Sequence, residues 1–407
     1  MANFSPLLLV DDVIERLLSQ AKPVTETECV HLTACIGRVL AEDMASKIDV
    51  PPAANSSMDG YAVATSDPAL RAGATLPVEG RIAAGQVGKP LVSGRVARIF
   101  TGAPLPEGAD AVVMQENTEA NGDGVVIRSV PDTGENIRPA GQDIQAGTRL
   151  FSAGRRLRPE DAAVLASVGI DQVPVYRRLR VALMSTGDEL VDPPGELAPG
   201  QIYNSNHFAL VGLVRRLGME VLDVGLVPDD FDATVRALSQ AAGGADCIIS
   251  SGGVSVGEED YVKAALEQLG GLEMWRVAIK PGKPLAFGNV AGTPFFGLPG
   301  NPVSTYVTFT IMAAPWLRAV QGMTDVMPHY IWARAAFEMP AGTRREYVRV
   351  RVEPSGDGTL KATSFGNQGS GIMSSVSWAN ALAEVDIDQE VSYGDRLKVF
   401  LLQDWQE

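Results

Sequence analysis

Apolar positions along this chain repeat with two different periods, and the changes of period divide it. Leu9, Val10, Val13, Ile14, Leu17 and Leu18 recur at helical spacing, which predicts a helix over residues 5–20 with one buried stripe. Ser5 suits its cap, Pro6 its first turn and Lys22-Pro23 its end. From about residue 46 to 146 the pattern shortens. YAVAT, ARIF, AVVM and GVVIR are brief β-branched runs, and turn signals such as Pro106-Glu107-Gly108 and Asn121-Gly122-Asp123-Gly124 separate them. A small all-β insertion is predicted. RPEDAAVLASVG, residues 158–169, returns to helical spacing, with Pro159 near its start and Gly169 as its stop.

Four apolar runs then each lead into a polar, glycine- or acid-rich loop: RVALMSTGDEL, EVLDVGLVPDD, DCIISSGGVSVGEED and FFGLPGNPVS. Each run has the length of a buried strand. Helical patterns at 205–217, 232–242 and 260–269 separate them, and Asn301-Pro302 opens another helix with Asn as cap and Pro in the first turn. This order predicts parallel strands of an α/β sheet, whose ligands sit where the carboxyl ends of the strands open into loops. After Met327 the texture is β-rich again. In Tyr347–Glu353, Val348, Val350 and Val352 alternate with Arg349 and Arg351, as in a half-buried strand, and LKVFLL reads as the last strand. Turns at Ser355-Gly356-Asp357-Gly358 and Tyr393-Gly394-Asp395 fit a small barrel or sandwich.

Composition narrows the function. At 407 residues the chain exceeds a single core, so several domains are expected. With 34 basic and 49 acidic residues the net charge is −15, which argues against nucleic acid and acidic membrane surfaces. An anionic ligand would need a local cluster of cations and N–H groups. Cys29, Cys35 and Cys247 form neither a disulfide framework nor a CxxC metal pattern. MANFSPLLLVDD lacks a basic leader, and YVTFTIMAAPWL is too short to span a bilayer and contains Pro315. A cytoplasmic protein without membrane association is expected.

The loop ends carry the candidate chemistry. Asp188, Glu189, Asp229, Asp230, Glu258, Glu259 and Asp260 follow successive strands. Any one of them fits a cap or a solvated turn. Carboxylates converging on one rim repel unless a cation joins them or one stays protonated, and a divalent-metal site is the reading favoured there. Ser250-Ser251-Gly252-Gly253 could turn its N–H groups toward a phosphate, or form an ordinary turn between strand and helix. Neither a dinucleotide fingerprint nor a P-loop occurs. Gly253-Val254-Ser255-Val256-Gly257 matches the G-x-S-x-G of hydrolases, but acidic residues follow it and only His329 lies downstream, so that reading is set aside. His31, His207 and His329 share no metal spacing. Lys280-Pro281-Gly282-Lys283-Pro284 holds two cations on a stiffened chain, fit for an anion or simply solvated. The Leu298–Ser304 loop, opening a helix, offers a second anion site. Asp59-Gly60, Thr101-Gly102 and Gly141-Gln142-Asp143 read by themselves as turns or strand ends.

Taken in order, VPPAANSSMDGYAV, IFTGAPLPEGADAVVMQE, GENIRPAGQDI, STGDEL, SGGVSVGEEDY, AIKPGKPLAFG and GLPGNPVS resemble the molybdopterin molybdenumtransferase family, the bacterial relatives of the gephyrin E domain. The likeness covers nearly the whole chain. It implies a multidomain α/β plus β fold: a helical, extended linker domain (1–45 with 147–178), the inserted β-rich domain (46–146), a central three-layer α/β molybdopterin-binding domain (179–326) and a C-terminal β-barrel-like domain (327–407). The implied reaction inserts molybdate into adenylylated molybdopterin and releases AMP, with Mg²⁺ as cofactor.

By resemblance, Asp59, Thr101, Asp143, Glu189, Asp229, Asp260, Lys280, Lys283, Pro299, Pro302 and Arg351 take the family's functional positions. Glu189 and Asp260 would hold the metal or water, and Lys280 and Lys283 molybdate and phosphate. Ser251 and Gly252 would cradle the nucleotide, and Asp59 and Asp143 would act near the dithiolene. Arg276 departs from the lysine often found at its place in the family, which leaves its role open. The family forms elongated homodimers in which one subunit's β insertion approaches the partner's α/β site. A molybdopterin adenylyltransferase and molybdoenzyme maturation proteins are the implied protein partners. Two other functions compete: adenylyl transfer itself, which shares the α/β domain, and a gephyrin-like scaffold. MDGYA and TGAPLP, absent from the adenylyltransferases, favour the molybdenumtransferase.

Overall fold

The computed structural model describes residues 7–253 and 261–402. The chain forms two compact units, one of Met1–Ala41, Gly154–Arg158 and Val173–Glu407, the other of Glu42–Ala153 and Pro159–Gln172. The first helix spans Val10–Gln20 and buries Val10, Val13, Ile14 and Leu17. It begins later than the apolar stripe suggests. Leu8 donates to the Arg276 carbonyl and accepts from Ala278 N–H, so the chain before the helix is extended and Leu9 is left 50% exposed. Ser5 and Pro6 lie outside the described residues.

In the smaller unit the predicted runs become the strands Gly60–Val63, Val96–Ile99, Ala111–Met114 and Gly124–Ile127. Thr75–Ile82 and Thr118–Asn121 complete a six-stranded sheet. Thr75–Ile82 escapes a reading by alternation because Pro77 and Gly80 interrupt it, and its register slips between Val78 and Arg81. Asp59-Gly60 proves to be the entry to a strand. A Cβ on Gly60 would lie 2.0 Å from the Val113 carbonyl oxygen, so the neighbouring strand leaves room for no side chain there. The helix Pro159–Ser167 belongs to this unit, and Gly169 after it has φ +79°.

In the larger unit the four apolar runs are four parallel strands: Arg180–Thr186, Glu220–Val227, Cys247–Ser251 and Thr293–Leu298. Pro284–Val290 and Gly270–Arg276 extend the sheet antiparallel, making it mixed. The reversal comes from a two-residue hairpin at Ala291-Gly292, both with positive φ (49° and 90°). Alternate residues serve opposite layers. Val181 and Leu183 pack with Leu210 and Val214 of the Ser205–Arg216 helix. Ala182 and Met184 pack with Leu238 and Leu266, from the Phe231–Ala242 and Tyr261–Leu269 helices. These are the three layers.

Beyond them, Ile331–Ala335, Arg345–Pro354, Leu360–Ser364, Ala381–Val385 and Arg396–Leu401 close into a five-stranded barrel, because Arg345–Pro354 pairs on both of its edges. One expectation fails here. Arg349, placed on the solvated face by alternation, is 0% exposed. Its Nε donates to Ser375 Oγ (3.2 Å), Nη1 to the Tyr347 carbonyl (3.2 Å) and Nη2 to the Gly369 carbonyl (3.3 Å). The Met373–Trp378 helix covers this face. Burial lowers the Arg349 pKa to about 10.

Gly60→Ala should destabilise the protein by about 2–3 kcal/mol, the usual scale of forced overpacking. Urea denaturation checks this, and an unchanged midpoint would refute the close approach of the two strands.

Candidate active site

The carboxyl ends of the parallel strands meet at one cavity of about 690 Å³, within the size range of cofactor sites. Thr186, Gly187 and Glu189 enter it from the first strand and loop, Asp229 from the second and Gly252-Gly253 from the third. Pro299, Gly300, Asn301 and Ser304 close the end of the fourth. The Lys280–Pro284 segment supplies another wall, and Arg344 with Gln368, Gly369 and Ser370 brings in the barrel.

These segments are tied together by hydrogen bonds. Gly252 N–H donates to the Leu298 carbonyl (3.2 Å), and Thr305 Oγ1 donates to the Pro299 carbonyl. Asn206 Nδ2 donates to the Gly300 carbonyl (2.8 Å), and Val303 N–H to the Ser370 carbonyl (2.9 Å). Gly252 and Gly253 both have positive φ, and a Cβ on either would lie within 2.9 Å of Thr186. The strand ends therefore lie side by side with no room to spare.

The acidic rim is organised reciprocally. Asp188 N–H donates to Asp229 Oδ2 (3.2 Å) and Asp229 N–H to Asp188 Oδ1 (3.1 Å). This clasp joins two loops and sets Glu189 and Asp229 on one cavity wall. Among the described residues, no group of three or more His, Cys, Asp or Glu side chains gathers to hold a metal. Two carboxylates do fit Mg²⁺, which takes one or two protein oxygens and fills its octahedron with water and ligand oxygens. Asp260, the other predicted metal residue, lies outside the described residues, as do Glu258, Glu259 and Ser255.

Cations face the same space. Lys280 Nζ is 2.9 Å from Glu346 Oε2, with the lysine half exposed and the glutamate buried. Lys283 is exposed and has no ion pair among the described residues. Arg344 is held by its bond to the Ile279 carbonyl (3.1 Å). Thr186 lines the cavity, and its Oγ1 is buried without a hydrogen-bond partner among the described residues.

Other predicted residues stand elsewhere. Ser251 is buried, with its hydroxyl 3.3 Å from Ser185 Oγ rather than on the cavity wall. Gly252 is on the wall, but its N–H is engaged by Leu298. Pro302 begins the Pro302–Thr308 helix just behind Asn301, whose side chain makes no capping bond. Arg351 is exposed on the barrel, bonded to the Trp378 carbonyl (3.0 Å) and stacked over its ring, away from the wall. Arg276 ends the Gly270–Arg276 strand, and its carbonyl accepts from Leu8. Sequence reading missed Thr186, Arg344 and the Gln368–Ser370 loop. Thr186 was within STGDEL, and the loop is announced by the glycines of GNQGSG.

Asp59, Thr101 and Asp143 belong to the smaller unit. There Thr101 N–H and its hydroxyl both donate to Asp59 Oδ1, each at 2.9 Å. The backbone donor first and the hydroxyl second hold the Asp59 carboxyl below the usual range. Asp143 is exposed, with its N–H on the Val50 carbonyl (2.9 Å).

Comparison with known proteins covers the whole architecture. Residues 8–169 match the MoeA N-terminal region (domains I and II), 182–319 a probable molybdopterin binding domain, and 333–402 the MoeA C-terminal region (domain IV). The chain is 39% identical to a molybdopterin molybdenumtransferase of Haemophilus influenzae, over 97% of this chain and 98% of the relative. It is 37% identical to molybdopterin molybdenumtransferase 2 of Mycobacterium tuberculosis, over 95% and 97%. A crystal structure of a molybdopterin biosynthesis moeA protein from Pyrococcus horikoshii superposes with a TM-score of 0.84 at 29% identity, covering 97% of this chain and 100% of the other.

Thr101→Val removes one of the two Asp59 donors and leaves the N–H. The Asp59 pKa should rise toward its ordinary value without reaching it, as followed by ¹³C carboxyl NMR. A carboxyl with a depressed pKa contributes stability above its unfolded pKa and loses it as pH falls through the folded value, so the variant should lose this contribution at a higher pH. An unmoved titration would refute the hydroxyl's part.

Proposed function

The chain belongs to the molybdopterin molybdenumtransferase family and is a transferase of molybdenum cofactor biosynthesis; on that premise we propose that it inserts molybdate into adenylylated molybdopterin, releasing AMP with Mg²⁺. One observation carries this reading: a single cavity whose wall bears Lys280, Lys283 and Arg344 together with Glu189 and Asp229. The cations suit two anions, the tetrahedral molybdate dianion and the substrate's pyrophosphate. The carboxylates suit a divalent ion shared with phosphate oxygens.

Lys280 reaches an incoming oxyanion already paired with Glu346, so the buried glutamate keeps its partner whether or not anion is bound. Lys283, exposed and without an ion pair among the described residues, could follow charge as it moves from the P–O–P bridge to the departing AMP. Glu189 and Asp229, with Asp260 by resemblance, would hold Mg²⁺, which would neutralise charge on the phosphate oxygens. Water supplies the oxygen that ends on phosphorus when the anhydride opens. Asp59, its pKa depressed by Thr101, remains ionised, and its Oδ2, which neither Thr101 donor engages, could accept a hydrogen bond from a dithiolene thiol.

We further propose a cytoplasmic homodimer in which Asp59 and Thr101 of one subunit serve the partner's cavity, with an adenylyltransferase supplying the substrate. Mixed Asp59→Ala and Glu189→Ala subunits should then recover activity that neither variant has alone. Recovery no greater than the sum of the two would place each site within one chain.

AMP release from adenylylated molybdopterin, measured with Mg²⁺ and with or without molybdate, tests the reaction itself. Molybdate-dependent release with molybdenum retained on the pterin is expected, and release indifferent to molybdate would refute insertion. Glu189→Gln should raise the Mg²⁺ requirement by about tenfold or more, equivalent to ~1.4 kcal/mol, with the fold intact. A wild-type metal response would remove Glu189 from the metal's ligands.

A further inference from the structure

The Lys280–Glu346 pair has one member on the wall of the substrate cavity and one behind it. Lys280 lines the cavity, and Glu346 does not. The lysine side chain is 50% exposed and the glutamate only 9%, with Nζ 2.9 Å from Oε2. Backbone register sets this contact. The two-residue strand Ile279–Lys280 runs parallel to Arg345–Pro354 and pairs Ile279 with Arg345 and Lys280 with Glu346. Arg345 N–H donates to the Ala278 carbonyl (2.9 Å) at the start of that ladder. Residues paired across a ladder project to the same face at the strand spacing of ~4.8 Å, within reach of a lysine and a glutamate.

Stability alone is a poor reason for this arrangement. Desolvating a carboxylate is costly, and a half-exposed lysine returns little of that cost through a screened attraction. Glu346 also acts on Arg349, the buried guanidinium of its own strand: burial lowers the Arg349 pKa, and the Glu346 charge opposes that shift. One negative charge thus serves two cations, and of these only Lys280 lines the cavity. Lys283, three residues on and on the same wall, is exposed with no ion pair among the described residues. The two lysines of one segment therefore meet an anion with unequal strength. Lys283 presents its full charge, and Lys280 a charge partly offset from behind. A site that must let go of an anionic product gains from such an imbalance, since tight ground-state binding slows release without helping the reaction.

We infer that Glu346 is a positioning residue of the oxyanion site: through Lys280 it fixes where one ammonium group stands on the wall and weakens that group's hold on a tetrahedral dianion. This rests on the oxyanion reading of the cavity proposed above. It carries a sign that a structural brace does not. Removing the Glu346 charge should tighten anion binding, whereas removing a brace would loosen it.

Molybdate binding to the whole chain, followed by titration calorimetry, reads that sign. Glu346→Gln keeps an acceptor for Lys280 Nζ and removes the charge. The molybdate Kd should then fall by about tenfold, well short of the buried limit because Lys280 is half exposed to water. Glu346→Asp keeps the charge but draws it back from Nζ, so the Kd should fall by less. Lys280→Met/Glu346→Gln should bind molybdate more weakly than the unaltered protein, because the gain runs through Lys280. In turnover, Glu346→Gln should lower KM for molybdate and kcat together, as slowed release requires. A Kd unchanged or raised in both Glu346 variants would overturn the inference and leave molybdate-dependent AMP release, and so the reaction, standing. A double variant that binds as tightly as Glu346→Gln would also overturn it. Tighter binding by the Glu346 variants of a protein that releases no AMP in response to molybdate would uphold the role of Glu346 and refute the reaction. Absence of molybdate binding in every one of these proteins would overturn both. Should Glu346→Gln fail to fold, Glu346→Asp decides by the same sign.

Discussion

The turn from Leu298 to Asn301 is held from several sides at once, and the cavity depends on that. Leu298 accepts from Gly252, Pro299 from Thr305, and Gly300 from Asn206, while Ser370 of the barrel accepts from Val303 just beyond. Each partner comes from a different part of the larger unit: a neighbouring strand, the helix that follows, the helix on one face of the sheet, and the barrel. A turn fixed from so many directions cannot move without breaking bonds in all of them. The glycines at 252 and 253 belong to the same constraint, since a side chain at either would push against Thr186 and part the strand ends. Rigidity of this kind suits a ligand site, because little ordering remains to be done on binding.

Much of this was legible in the chain. The four apolar runs ending in acid or glycine located both the sheet and the loops that line its cavity, because buried parallel strands cannot hide their composition. What the pattern could not convey was pairing direction. Pro284–Val290 and Gly270–Arg276 were not among the predicted strands, and the positive φ at Ala291 and Gly292 is what turns Pro284–Val290 antiparallel to Thr293–Leu298. Arg349 misled for a related reason. Alternation tells which side of a strand a residue faces, not whether a helix later covers that side. Thr186, Arg344 and the Gln368–Ser370 loop were missed for a third reason: local signals existed for Thr186 and the loop, but their place in the cavity depends on contacts between distant segments. Of the two predicted metal residues, Glu189 stands on the cavity wall and Asp260 lies outside the described residues.

Arg349 shows how a barrel residue off the cavity wall can still shape it. Its guanidinium is buried and its pKa lowered, yet it bonds the Gly369 carbonyl and its backbone N–H bonds Gln368 Oε1 (3.0 Å). The charge serves as a rigid multi-point tether for a glycine-rich loop that would otherwise have no reason to hold one shape.

The pairing of Ile279 with Arg345 and Lys280 with Glu346 joins the segment carrying the cations to the first long strand of the barrel, ladder to ladder. Mechanically this is a stiff lever rather than a hinge. A shift of that strand would carry Lys280 with it, so the barrel and the cation wall of the cavity move together, as the two arms of a pair of tongs share one joint.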